Sequence, residues 1–261
     1  MPTAYNKSFK INYEVEGEGP PLLLLHDVSG SLYSWVEGGY VAPLSERFQV
    51  IIPDLRGHGA SDKPDETAAY VLPVLVEDML AVLDDLDVTA AHVVGYSIGG
   101  RIAFGFTKYV PERLLSLTVG GTGYEKPPPE LFERWINSLR AGQEMFVSQI
   151  EAGLGRMIHE PRRSRELANE GPALIAMLEA AKRMKDIGIG EALTKLTIPS
   201  LVFCGTDDAL HGQASAAAKL IPGSIFLSLP GADHFTCMER VSQILPHLRS
   251  FLEATLVDQA A

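Results

Sequence analysis

Short apolar runs recur along this chain, the first of them wholly apolar, with helical patterns between them. They are Leu22 to Leu25, Val50 to Ile52, His92 to Val94, Leu114 to Val119, Ser200 to Phe203 and Ile225 to Leu229. None holds a lysine, arginine or carboxylate, so each suits a strand buried on both faces of a parallel sheet. Between them Val76, Leu80, Leu83 and Leu86 recur at helical spacing, as do Val241, Ile244, Leu248 and Phe251. Strand and helix in alternation predict an α/β fold, a doubly wound and mostly parallel sheet. Upstream, Phe9, Ile11, Tyr13 and Val15 alternate in the manner of a strand. Pro246 interrupts the last helical pattern, where proline costs about 3 kcal/mol. That helix is expected to start late or to bend there.

Residues 124–196 depart from this rhythm. They open on Pro127-Pro128-Pro129 and hold no strand-like run. Helical patterns fill them instead: Leu131, Phe132, Trp135, Ile136 and Leu139, then Met145, Phe146 and Ile150, then Leu174, Met177, Leu178 and Met184. The expectation is a helical insertion between two strands, with residues 1–123 and 197–261 forming the core around it. A chain of 261 residues, 46% apolar, can form one such domain with a large interior.

Charge narrows the partners. The formal net charge is -11, and no basic stretch is long enough to follow a phosphate backbone. Nucleic acid is excluded as an expected partner, and a neutral or cationic small molecule fits better. Cys204 and Cys237 show neither CxxC nor a Cys/His metal spacing, so both are read as reduced and buried. The opening MPTAYNKSFKINYEVEG lacks the charged-then-apolar pattern of a signal peptide, and no apolar run is long enough to span a bilayer. The expected location is cytoplasmic, without a membrane span.

Chemistry is suggested first by His92 to Phe104, HVVGYSIGGRIAF. Ser97 lies between Gly95 and Gly99, at a predicted turn from strand to helix. Serine is common as a helix N-cap, and that reading competes with a nucleophile. A nucleophile on such an elbow stands clear of the sheet, glycines let neighbouring chain pass close, and the Ile98 amide can face an oxyanion. A serine nucleophile needs a base, and the base an orienting acid. His234, in GADHF after the last predicted strand, is the candidate base. Asp207 and Asp208, in CGTDD after the strand Ser200 to Phe203, are equal candidates for the acid. His26, His58, His92, His159, His211 and His247 are read as structural or surface residues. Asp54, Arg56 and His58 in DLRGHGAS are read as a structural brace.

Taken together, HDVSGS (His26 to Ser31), DLRGHGAS (Asp54 to Ser61), GYSIGG and the late GTDD and GADHF resemble the α/β-hydrolase family. The resemblance covers roughly residues 5–123 and 197–254. It implies the order nucleophile, acid, base, here Ser97, Asp208, His234, and so favours Asp208 over Asp207. Some members carry the acid after the preceding strand, where Glu125 stands. The resemblance also implies a helical cap at residues 124–196, no metal, no organic cofactor, and a second oxyanion amide from Val28. Asp27 stands where the family usually has glycine. A carboxylate near a developing oxyanion opposes it. Either the Asp27 side chain points away, held by amides or an arginine, or it faces the pocket and selects a cationic or hydrogen-bond-donating substrate.

Phe132, Trp135, Met145 and Phe146 either form the core of the insertion or line an acyl pocket. Tyr96 is a further candidate at the pocket, more suited to packing than to catalysis. The expected function is hydrolysis of small or medium carboxylic esters through an acyl-enzyme. Lactone opening, C–C bond hydrolysis and perhydrolysis are alternatives with the same triad. A ligand-binding receptor on a hydrolase scaffold is a reading of another class. Dehalogenation and epoxide opening are disfavoured, because relatives doing those use aspartate where Ser97 stands.

Overall fold

The computed structural model describes residues 2–183 and 188–259. Met184 lies outside the described residues. Eight strands form one sheet: β1 (Thr3–Asn6), β2 (Phe9–Glu16), β3 (Pro21–Leu25), β4 (Gln49–Pro53), β5 (Ala91–Tyr96), β6 (Leu114–Gly120), β7 (Ser200–Gly205) and β8 (Ile225–Leu229). Their order is β1-β2-β4-β3-β5-β6-β7-β8. β1 and β2 pair antiparallel, as do β2 and β4, and every later pairing is parallel.

Each apolar run is therefore a strand, and β3 shows why such runs carry no charged residue. Leu22 and Leu24 point into one core, Leu23 and Leu25 into the other, and all four are fully buried. Burial of a leucine contributes roughly 1.5–3 kcal/mol, so the run commits this strand to the middle of the sheet. β8 differs from expectation. It is the last strand, paired only with β7, and Ile225 is 54% exposed. β1 carries no apolar run to announce it. It adds to the edge of β2, with Ala4 and the polar Asn6 as its buried residues.

The helices α1 (Leu32–Glu37), α2 (Val41–Ser45), α3 (Leu72–Asp85) and α4 (Ile98–Tyr109) fill the first half. Between β6 and β7 come α5 (Pro129–Ala141), α6 (Gln143–Leu154), α7 (Arg162–Leu167), α8 (Gly171–Arg183) and α9 (Ile189–Thr194). Helix α5 packs on α6 and α8, α6 packs on α7, and α9 turns back onto α4 and on α10 (His211–Leu220). Phe132, Trp135, Ile136, Leu139 and Phe146 join the same core as Val76 and Ile102. Met145 does not: it is 56% exposed, so it serves neither that core nor a pocket.

The last helix, α11 (Val241–Gln259), runs through Pro246. It does not start late. The proline falls in the second turn, where its missing N–H leaves one carbonyl, that of Ser242, without a helical partner.

β3 lies between β4 and β5, so the chain reverses direction across the sheet there. The loops after β3, β5, β7 and β8 share the carboxyl edge of the sheet, where crevices form in doubly wound folds.

Candidate active site

β5 ends at Tyr96 and α4 begins at Ile98, which leaves Ser97 alone at the corner with φ 55° and ψ -113°. A non-glycine residue held there costs of order 1–3 kcal/mol. Its amide donates to the Gly120 carbonyl at 2.9 Å and its own carbonyl accepts from Arg101. Flanking glycines make the corner sterically possible. A Cβ on Gly95 would stand 2.3 Å from the Gly99 oxygen, and one on Gly99 would stand 2.3 Å from the Leu25 oxygen. Ser97 occupies the N-cap position of α4, yet its side chain caps no amide. The hydroxyl donates instead to His234 Nε2 at 2.9 Å.

His234 Nδ1 donates in turn to Asp208 Oδ2 at 2.8 Å, and Asp208 Oδ1 accepts from the Leu210 amide at 2.8 Å. Burial pulls the His234 imidazole down, but the Asp208 hydrogen bond and charge outweigh it and lift the ring above its ordinary value. Burial likewise opposes the Asp208 charge, and the bonds from His234 and Leu210 reverse that and hold the carboxyl below its ordinary range. Neighbouring strands lie about 4.8 Å apart, so the β7 and β8 loops must lean roughly 10–14 Å back toward β5. Asp233 shapes the second of these. Its Oδ1 gathers the amides of Phe235 and Thr236. Tyr96 donates its hydroxyl to the His234 carbonyl at 2.6 Å.

Asp207 faces solvent and accepts from the Thr206 hydroxyl, and Glu125 is exposed. Neither stands against His234. Cys237 is buried, with burial pushing its thiol up to about 11, and Cys204 is buried and pushed higher still.

Val28, Ser97 and Ile98 border one small cavity, together with Phe132 and Trp135. The loop bearing Val28 is fixed by two buried imidazoles. His26 Nε2 accepts the Leu55 amide, His58 Nε2 accepts the Ser29 amide, and their Nδ1 atoms bond the Asp27 and Arg56 carbonyls. Burial lowers both histidines, His58 to about 3, so both are neutral as these bonds require. Asp54 accepts from the Leu32 and Ala60 amides, and Arg56 grips Asp78. The DLRGHGAS segment thus braces the loops around the corner.

A cleft of about 1060 Å³ opens over Ser97 and His234, lined also by Tyr96, Trp135, Phe146 and Asp27. Trp135 stands 5.8 Å from the His234 ring, centroid to centroid. Phe132 borders only the small cavity. Asp27 is half-buried, and among the described residues no arginine or amide holds its carboxylate. Its charge raises His234.

Two residues here carry no sequence motif. Asn169 Nδ2 donates to the Ser29 carbonyl at 2.5 Å, and Glu166 turns into the cleft beside Asp27. Burial, then the Asp27 charge, push the Glu166 carboxyl up to about 7. The polar run RRSRELAN, set among bulky helical patterns, is the one signal that could have marked them.

An elbow serine, an acid loop and a histidine loop at the carboxyl edge of a doubly wound sheet define the architecture of an α/β hydrolase. The family model described as alpha/beta hydrolase fold matches residues 20–241, and the chain belongs to that family. It is 28% identical to a pimeloyl-[acyl-carrier protein] methyl ester esterase of Aeromonas hydrophila, over 93% of this chain and 99% of the relative. The enol-lactonase of Burkholderia xenovorans LB400 shares the fold, with TM-score 0.83 and 23% identity over 97% of this chain and 100% of that one. An N-acyl homoserine lactone degrading enzyme superposes with TM-score 0.75 and 26% identity, over 96% of this chain and 100% of that one. No helix among the described residues is long and apolar enough to cross a membrane.

Proposed function

We propose that the chain is a serine hydrolase of small or medium carboxylic esters. The observation that carries this reading is the unbroken hydrogen-bonded line from Ser97 through His234 to Asp208. His234 takes the Ser97 proton as Oγ attacks the ester carbonyl carbon. Asp208 holds the ring with Nε2 toward the serine and stabilises the imidazolium. The amides of Val28 and Ile98 receive the oxyanion. His234 passes its proton to the leaving alkoxide, and water then releases the acid by the same steps. Residues 124–196 act as a cap, with Trp135 and Phe146 as apolar lining for the substrate.

The similarity to a lactone-degrading enzyme favours lactones as a second substrate class, since ring opening uses the same acyl transfer. A serine-directed fluorophosphonate tests the nucleophile: a single adduct on Ser97 is expected, absent in Ser97→Ala. Ester or lactone turnover at the wild-type rate in a folded Ser97→Ala protein would sink the proposal.

A further inference from the structure

Glu166 is only 4% exposed, yet its Oε2 has no hydrogen-bond partner. Its other polar neighbours are Arg162 Nε, 3.5 Å from Oε1, and the Ser29 hydroxyl. Asp27, half-buried, stands close enough for its charge to act on Glu166. Two carboxyl groups thus converge on one wall of the cleft from different parts of the chain, one from the loop after β3 and one from α7. A buried carboxylate ordinarily finds partners, so an orphaned oxygen on a residue lining the cleft marks a place left for a ligand.

Of the cations lining this cleft, only Arg162 touches Glu166, and it is shared with Glu239; the others are engaged elsewhere. Arg156 pairs with Glu239 at 2.6 Å, and Arg162 reaches the same carboxylate at 3.4 Å. Arg165 pairs with Glu37 and lies over the Tyr33 ring. Lys63 is held by the Gly59 and Ser61 carbonyls. The charge this wall lacks is positive.

We propose that Asp27 and Glu166 form an acidic subsite that binds an ammonium group carried by the substrate. The inference deepens the ester reading and rests on it for turnover, though not for binding. Trp135 and Phe146 line the same cleft and offer apolar and π surface to alkyl groups on the nitrogen. A cation seated here also offsets the Asp27 charge where Val28 would receive an oxyanion. Substrates with the ammonium group should therefore gain in kcat as well as in KM.

Binding is tested without turnover, by titrating butyltrimethylammonium into the protein in a calorimeter. Its charge does not change with pH, so any pH dependence belongs to the protein. The groups facing Glu166 are Asp27, the Ser29 hydroxyl and Arg162, with His234 across the cleft. Affinity should rise as pH passes upward through about 7, where Glu166 ionises. Asp27→Asn and Glu166→Gln, each first shown to melt cooperatively, should weaken binding by about tenfold or more. In turnover, each should lower the kcat/KM ratio of butanoylcholine to its uncharged isostere 3,3-dimethylbutyl butanoate. Absent or pH-independent binding to the wild type would overturn the subsite, as would unchanged affinity in both folded variants. If neither ester is hydrolysed, the ester reading fails, and the calorimetry still decides the subsite.

Discussion

The Tyr96 hydroxyl donates a 2.6 Å hydrogen bond to the backbone carbonyl of His234, 138 residues further along the chain. Tyr96 directly precedes Ser97, so one side chain ties the strand leading to Ser97 to the loop of His234. Its ring also stacks on Phe203 of β7, at 6.0 Å between centroids, which keeps the phenol from swinging. The segments that carry Ser97, His234 and Asp208 are thereby tied together through one tyrosine.

Tyr96→Phe keeps the ring and removes the tie. The part-buried His234 carbonyl then lacks its donor, a loss of about 1 kcal/mol. The expected result is a kcat lowered about tenfold with KM little changed, because the fault lies in the angle of the base. Steady-state kinetics on a neutral ester, with a thermal melt as control, measure it. Equal loss in KM and none in kcat would assign Tyr96 to substrate binding instead.

Asp208→Asn separates orientation from charge. The amide can no longer accept the Nδ1 proton in the same way, and kcat should fall by about 10⁴, as for other triads. The pH profile should also move. His234 must be neutral to act as base, so activity is lost as pH falls through its folded pKa, which Asp208 raises above the ordinary value. With the carboxylate gone, burial is opposed only by the smaller effects of the Asp27 and Asp233 charges, the ring is lowered, and the acid limb of kcat/KM shifts to lower pH. A limb that stays in place would show that Asp208 does not set the His234 titration.

Asp78 tests the brace rather than the chemistry. It takes two hydrogen bonds from Arg56 and one from Asn6 of β1, all buried. Asp78→Ala strands a buried guanidinium, at about 3–5 kcal/mol. For a chain of this size that lowers Tm by roughly 5–9 °C. Differential scanning calorimetry reads the loss. A shift under about 2 °C would mean that Arg56 finds other partners cheaply.

The strands were legible because a strand buried on both faces is mostly apolar and carries no charged side chain: Leu22 to Leu25 fills both cores at once. β1 was not, because Asn6 spends its polar side chain on Asp78, a partner 72 residues away. The elbow was legible from Gly95 and Gly99, whose missing Cβ atoms leave room for backbone oxygens. Asp207 and Asp208 looked alike because both end the same strand, and only the turn decides which one faces His234. Asp27 could be flagged as a departure from a familiar motif, but its direction depends on what stands opposite. That is Glu166, brought there by helices whose spacing records only that they are amphipathic.

Glu166 leaves a mark on stability that does not depend on any substrate. Its carboxyl titrates near 4.5 when unfolded and at about 7 when folded, raised by burial and then by Asp27. Folding therefore favours the protonated form. The stability this contributes is fully present below about 4.5 and is lost as pH rises toward and past 7. Glu166→Gln removes the titration while keeping the shape. The variant should exceed wild type by about 1–3 kcal/mol at pH 8, from a shift of roughly 2.5 units at 1.36 kcal/mol each, less the cost of burying the amide. The difference should shrink toward zero as pH falls to about 4.5. Urea unfolding of both proteins across this range measures it. A Gln variant less stable than wild type at pH 8 would show that Glu166 is ionised and well solvated in the folded protein.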